Sequence, residues 1–558
     1  MTTFSHILQQ HYSKTPDKLS IVLQHTGQPD KLLTYRDLLV GADRYARTYI
    51  RENLQPGEVI ILILQHGEDL VYSFWGAVLH GAIPAIMPFL TEKLSPERYR
   101  ADLASLIEIT RPAVIVTYPE IVQDIRNAIR KDSSVRVVIT TDEVEPTSSV
   151  DFNLFQGMSR SEYDLALLQH SSGTTGLQKG VALSHQAVLN QVAAYGESIK
   201  LDPRSDVIVS WLPLYHDMGL IASFILPILC EIPLVVMSPF DWVRAPYRLL
   251  QSVSRYQGTL SWLPNFAYNF CAQKIRERNL EGVDLSSWRA IINCSEPVRF
   301  ESHQLFFEKF QPYGLKKSSL QTSYAMAENV FGVTQSELGS EPVVLELDRE
   351  AFMGERIALP PVEGKSVLRM MSSGRSIKNT RVRVVNENLA DIPDKTVGEI
   401  MVQSDCMLTG YYNRPDITDK AMKDGWYLTG DYGFLADGEL FVSGRKKDLI
   451  IVGGKNIYPQ DLESLASEIP GVHPGRVVAF GVYNDEVGTE DVVIIAEVDD
   501  HHSAVHDQIS DAIRQHVTKN SAIALRYVKV VGPRWIIKTS SGKTARMANK
   551  EKFLKTIS

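Results

Sequence analysis

Residues 168–181 read L-Q-H-S-S-G-T-T-G-L-Q-K-G-V, and eight of the ten positions 171–180 are suited to holding phosphate. Ser171, Ser172, Thr174 and Thr175 supply hydroxyls, Gly173, Gly176 and Gly180 free the backbone, and Lys179 adds a positive charge. Glycines permit positive φ and bring bare N–H groups close to an anion, while hydroxyls add short donors. Such a loop suits a polyphosphate. It differs from the G-x-x-x-x-G-K-[ST] pattern, because Lys179 follows Gly176 by three and no Ser or Thr comes next. Other polar groups follow expected strand ends. His216 and Asp217 lie in W-L-P-L-Y-H-D-M-G, Ser295–Pro297 in C-S-E-P-V, and Glu328 in A-M-A-E-N. Polar loops at the carboxyl ends of strands converge on one crevice in open α/β sheets.

The elements that must position these groups are legible as alternating helical and strand patterns. Residues 35–50 form a predicted helix capped by Thr34, 59–64 a strand, and 69–80 a helix stopped at Gly81. β-branched runs at 112–118 and 135–140 extend a parallel sheet covered on both faces. A strand at 165–168 should lead into the phosphate-type loop, with a helix starting at Ser184. Short alternating segments at 381–386, 399–402, 426–428 and 439–442 predict an antiparallel, barrel-like section within about 331–443. Residues 338–377 are only weakly periodic. Beyond G-R-K-K-D (444–448) an α+β stretch reads as a small separate domain.

Composition narrows the class. The 558 residues are 44% hydrophobic and 22% charged, ordinary for a soluble globular protein of several domains or subdomains. A formal charge of −8 argues against generic nucleic-acid binding. Seven basic residues and one acidic residue fall between Arg534 and Ser558, a patch suited to phosphates or an acidic partner. Four scattered cysteines without C-x-x-C fit a reducing compartment and no zinc site. The apolar window 218–237 is interrupted by Glu231, Pro227 and Pro233, so it predicts a buried helix and strand rather than a membrane span. A cytoplasmic location follows as the expectation.

Five motifs in order carry a resemblance: S-S-G-T-T-G-L-Q-K-G, W-L-P-L-Y-H-D-M-G, S-Y-A-M-A-E, Y-L-T-G-D with G-R-K-K-D, and S-S-G-K. The set resembles the adenylate-forming superfamily over essentially the whole chain. L-P-N-F-A-Y-N-F (263–270), N-C-S-E-P-V-R, V-L-E-L-D-R-E-A, S-S-G-R and N-I-Y-P-Q-D-L-E look closest to fatty acyl-AMP ligases. Two features depart from that pattern: Gly453-Gly454-Lys455 is more like CoA-using relatives, and Ala325 stands where glycine is usual.

The resemblance implies a large N-terminal domain, residues 1–445, made of two α/β subdomains and a small β-barrel. A small mobile α+β C-terminal domain, 446–558, would follow. It implies ATP and Mg2+ as cofactors and a medium- or long-chain fatty acid as substrate. An acyl carrier protein is the implied acceptor, with free CoA as the alternative; for the function of the whole chain, a non-catalytic nucleotide- or acyl-binding protein built on this fold is the further alternative. Lys543 would bridge the attacking carboxylate and the α-phosphate region, and Glu328 would hold Mg2+. Asp431 would accept both ribose hydroxyls and Arg445 would add a ribose or phosphate contact. Tyr324, Ala325, Met326 and the backbone at Ser295, Glu296 and Pro297 would frame the adenine. His216 would border the acyl carboxylate, and Lys447 would be the hinge. In fatty acyl-AMP ligases a segment inserted before the barrel restrains the domain rotation used for CoA, and residues 338–377 match it.

Overall fold

The computed structural model describes residues 2–89, 96–171, 179–364, 366–452, 455–484, 489–499, 503–521, 523–539 and 543–557. Two largely parallel sheets carry the N-terminal part. In the larger, Leu19–Gln24, Leu234–Met237, Ile208–Ser210, Leu260–Leu263, Ala290–Asn293 and Leu320–Ala325 run parallel. Antiparallel strands Lys31–Thr34, Gly332–Gln335 and Arg375–Ser376 complete its edges. The second sheet sets Val137–Thr140, Val114–Thr117, Val59–Leu62, Ile83–Ile86 and Leu165–Ser171 in parallel order. These strands are apolar on both faces because helices cover both, as alternating βα order requires.

Local signals explain the helices. Thr34 accepts from the Asp37 amide while the Asp37 carboxylate takes the Thr34 amide at 2.9 Å, a reciprocal cap for Tyr35–Arg51. Glu68–His80 ends at Gly81, whose φ of 91° is a left-handed stop that a side chain would resist. The apolar window at 218 is a buried π-helix, Met218–Ile225, running into Leu226–Leu229 and then the strand Leu234–Met237. π-turns of this kind recur beside functional sites. Gly219 permits that start, since a Cβ there would run into the Pro213 carbonyl.

Two expectations are corrected. The phosphate-type loop does not pass directly into a helix: the strand Lys179–Ser184 returns antiparallel to Leu165–Ser171, and only then does Ser184 cap His185–Ser198. Lys179 therefore begins a strand, opposite Ser171. The antiparallel section also starts later than 331. Gly332–Gln335 and Arg375–Ser376 belong to the nine-stranded sheet, and Gly410–Tyr411 pairs with Lys179–Ser184. The remaining section is an antiparallel sheet of Thr380–Val385, Gly398–Ser404, Trp426–Ala436, Met422–Lys423 and Glu439–Arg445. Pairing between distant segments decided both points, and local alternation carries no information on it.

The weakly periodic stretch 338–377 contains a hairpin, Val344–Asp348 with Val367–Met371, and a helix Arg349–Glu355 capped by Asp348. Leu347, Phe352 and Leu368 pack with Phe434, Phe441 and Tyr458. Beyond Arg445, Val472–Asn484 pairs antiparallel with Thr489–Val498, which lies parallel to Leu525–Val531. Helices Pro459–Ser467, Ser503–Ser521 and Arg546–Ile557 accompany this small sheet. Among the described residues, no helix is long and apolar enough to cross a membrane.

Candidate active site

The carboxyl ends of the parallel strands gather the candidate groups. Ser171 ends one strand of the second sheet and pairs with Lys179. Ser172, Gly173, Thr174, Thr175 and Gly176 lie outside the described residues, as does the side chain of Ser171. Gln169 donates to the Tyr215 carbonyl at 3.4 Å, tying this strand to the segment that holds His216. Lys179 Nζ sits 4.8 Å from the centre of the Tyr411 ring.

His216 Nδ1 lies 2.6 Å from Asp217 Oδ1, and the Met218 amide donates to the same oxygen at 2.8 Å. Burial pushes the Asp217 carboxyl up, but His216, Lys543 and the Met218 amide outweigh it and bring it to about 2. Asp217 is thus a fixed negative charge that orients His216. Its partner in the larger sense is Lys543, delivered by the C-terminal part. The Lys543 amide donates to Thr539 Oγ1 at 3.2 Å and its carbonyl accepts from the Thr539 amide at 2.7 Å, which fixes its backbone. The half-buried Lys543 amine is held below its ordinary value of 10.5 by burial and by Arg445, against the opposing pull of Asp217 and Glu296.

Tyr324, at the end of its strand, donates its phenolic proton to Asp431 Oδ2 at 2.6 Å. Arg445 stands across the β-ladder from Asp431, with Nε 3.4 Å from Oδ1. The Asp431 amide donates to Thr429 Oγ1 at 3.0 Å, which fixes the carboxylate's stalk. Each carboxylate oxygen keeps a further acceptor site, as two vicinal hydroxyls require. Tyr324 is therefore tied through its hydroxyl to the same carboxylate. Ser295 has φ of 68°, an uncommon conformation for a serine, directly after Ala290–Asn293. Glu296 accepts from the Phe266 amide at 3.0 Å, near the start of Asn265–Lys274, while Pro297 is exposed. The Glu296 side chain thus caps a helix, leaving the backbone of 295–297 for a ligand. Ala325 ends the strand, and the Met326 amide donates to the Phe331 carbonyl at 2.8 Å.

Glu328 projects from this turn and takes the Tyr411 hydroxyl on Oε1 at 2.7 Å. Tyr411 in turn meets the Tyr427 hydroxyl at 2.8 Å. One half-buried carboxylate suits Mg2+, which keeps waters and takes substrate phosphates rather than an all-protein cage. Among the described residues there is no group of three or more His, Cys, Asp or Glu able to hold a metal ion.

Lys447 lies in the exposed turn Lys446–Asp448 between the antiparallel sheet and the C-terminal part. Gly453 and Gly454 lie outside the described residues. Several site-bordering groups escaped the sequence reading. Tyr411 and Tyr427 are two; Tyr427 directly precedes Leu428 in the Y-L-T-G-D motif, and Tyr411 stands in G-Y-Y-N-R-P. Lys538 is a third: its Nζ lies 5.8 Å from the Phe266 ring centre, and burial and Arg476 push its amine down to about 8.

The profile of the AMP-binding enzyme family matches residues 8–412. The medium-chain-fatty-acid–[acyl-carrier-protein] ligase JamA of Moorena producens is 31% identical, over 99% of this chain and 95% of its own. The long-chain-fatty-acid–AMP ligase FadD26 of Mycobacterium tuberculosis is 29% identical, over 98% of this chain and 96% of its own. A structure from a study of fatty acyl-adenylate ligases of E. coli and L. pneumophila superposes with a TM-score of 0.90 at 26% identity, covering 100% of this chain and 98% of that one. Another, the L. pneumophila fatty acyl-adenylate ligase with acyl adenylate and pyrophosphate, gives 0.73 at 28% identity, over 99% and 96%. The chain belongs to the AMP-binding enzyme family, as a ligase grouped with the fatty acyl-AMP ligases.

Proposed function

We propose that this enzyme activates a medium- or long-chain fatty acid with ATP and passes the acyl group to the phosphopantetheine thiol of an acyl carrier protein. The observation that carries the reading is the Lys543 amine, brought from the C-terminal part into the field of Asp217, Glu296 and Arg445. An acyl carboxylate oxygen attacks the α-phosphorus, the α–β bridging bond breaks, and pyrophosphate leaves with its electrons. Two anions must meet, so catalysis rests on held geometry and supplied positive charge. Lys543 spans the incoming carboxylate and the α-phosphate. Lys179, at the foot of the phosphate turn, offsets the charge of the outer phosphates, and Asp431 holds the ribose with Arg445 beside it. Glu328 would hold Mg2+, whose chemistry there would be to neutralise phosphate charge. His216 borders the carboxylate without acting as a base, since that acid is already ionised near neutral pH. The thiol sulfur then bonds to the acyl carbon, its proton passing to water, while the acyl C–O bond breaks and AMP leaves with that electron pair.

The alkaline limb of kcat/KM tests the part played by Lys543. Its protonated form is the active one, and its pKa lies below 10.5, so the rate should fall before pH 10.5. Lys543→Arg stays charged and should lose that limb, at a lower plateau rate. A limb unmoved in the arginine variant would assign it to another group.

Packing of the inserted segment supports a carrier-bound thiol over free CoA. Phe352 lies 6.3 Å from Tyr458, centre to centre, and Met353 packs on the C-terminal core. Asp461, on Pro459–Ser467, is buried 3.7 Å from Arg299, and the Arg299 guanidinium donates to the Gln460 carbonyl at 3.0 Å. Arg349 of the inserted helix also acts on Asp461. These contacts resist the rotation that Lys447 would hinge. Free CoA is the second reading, favoured by Gly453-Gly454-Lys455. ATP, a panel of medium- and long-chain acids, and either CoA or holo carrier protein separate the two. Thioester should form on the carrier, and efficient CoA thioester would overturn the choice. Replacing Phe352 and Met353 together by alanine should raise CoA turnover by about tenfold, for a contact loss of about 1.4 kcal/mol or more. Unchanged CoA turnover in a folded double variant would remove the inserted segment as the restraint.

A further inference from the structure

We propose that Tyr411 is a positioning residue that aims the Glu328 carboxylate toward the metal-bound triphosphate, and that Tyr427 fixes the direction of its hydroxyl. This rests on the reading of Glu328 as the magnesium residue. Tyr411 is 5% exposed and sits on the short strand Gly410–Tyr411, paired with Val181 two positions after Lys179. One side chain therefore meets both charged groups that face the phosphates. Its ring lies under the Lys179 ammonium at 4.8 Å, and its hydroxyl reaches Glu328 Oε1 at 2.7 Å.

Proton counting gives the bonds their direction. A phenol ordinarily titrates at about pH 10, so at neutral pH each hydroxyl carries a single proton. Glu328 accepts, so Tyr411 spends its proton there, and the 2.8 Å contact with Tyr427 can only be a bond that Tyr427 donates. The chain from Tyr427 to Tyr411 to Glu328 is one-way and pins one carboxylate oxygen, leaving the other for a cation. The main chain of Glu328 is held independently. Val330 has φ of 61°, which a β-branched residue rarely adopts, and the Phe331 amide closes on the Asn329 carbonyl at 2.6 Å. The Leu408 amide donates to the Glu328 carbonyl at 2.8 Å. With the backbone fixed, the hydrogen bond from the Tyr411 hydroxyl chooses the carboxylate's rotamer.

The test is equilibrium ATP binding by calorimetry without fatty acid, in Mg2+ and in EDTA, the ratio of the two affinities being the metal-linked gain. Tyr411→Phe keeps the ring under Lys179 and removes only the hydroxyl. It should shrink the gain by about tenfold, the scale of one charge-assisted hydrogen bond, with affinity in EDTA unchanged. Tyr427→Phe should shrink it by about threefold. A packing role alone would weaken binding equally in both buffers, and an intact gain in Y411F would overturn the proposal. Should Y411F melt at a much lower temperature than the wild type, Y427F decides, and an intact gain there is equally contrary. Glu328→Gln is the control. If it too keeps the full gain, the magnesium reading of Glu328 falls; if it loses the gain while Y411F does not, only the role of Tyr411 falls.

Discussion

Lys543→Ala should reduce acyl-adenylate formation by about a thousandfold while leaving ATP binding nearly intact. One amine about 4 Å from a phosphate at an effective dielectric near 20 is worth about 4 kcal/mol before desolvation. Each ~1.4 kcal/mol off a barrier is tenfold in rate. The charge matters most in the transition state, when carboxylate and phosphate oxygens are closest, so the loss should appear in kcat rather than in the KM for ATP. The ammonium also pays for its place: burial lowers its pKa, and Asp217 and Glu296 partly compensate. Removing it relieves that cost, so the variant should be at least as stable as the parent. Single-turnover acyl-AMP formation is the measurement, and a normal rate would remove Lys543 from the chemistry.

Asp431→Asn should act on the other half of the reaction, the grip on ATP. The carboxylate already takes the Tyr324 hydroxyl at 2.6 Å and faces Arg445 at 3.4 Å, and its free acceptor sites would serve two ribose hydroxyls. An amide offers one acceptor oxygen where the carboxylate offers two, and it turns the other position into a donor. Hydrogen bonds to a charged group are worth about 1.5–3 kcal/mol each, so ATP affinity should fall by about a hundredfold. Deoxygenated nucleotides make the assignment specific. If 2′-deoxy-ATP and ATP differ for the wild type and by as much for the variant, Asp431 does not hold the ribose.

Much of the architecture could be read before folding was considered. The Thr34 cap, the Gly81 stop and the apolar strand at Val59–Leu62 are local, and local chemistry decides them. The polar motifs expected after strand ends do follow Ala290–Asn293 and Leu320–Ala325. What escaped was pairing at long range. Lys179–Ser184 is a strand only because Leu165–Ser171 and Gly410–Tyr411 flank it, and the second of these lies far along the chain. A glycine-rich approach to Ser184 hid it. The hairpin in 338–377 was obscured for the same reason, since the helix Arg349–Glu355 separates its two strands. The hydroxyl chain through Tyr427, Tyr411 and Glu328 joins three motifs whose spacing says nothing about contact. A buried tyrosine reads as core until its hydroxyl finds a carboxylate.

Residues from both parallel sheets, the antiparallel section and the C-terminal part are claimed to act on one ATP and one fatty acid. ATP–pyrophosphate exchange measures that joint action directly, because label returns to ATP only through a reversible acyl-adenylate. With the wild-type enzyme and Mg2+, exchange should be absent without acid and appear when medium- or long-chain acids are supplied. Exchange without any acid, or none across the whole panel, would contradict the account.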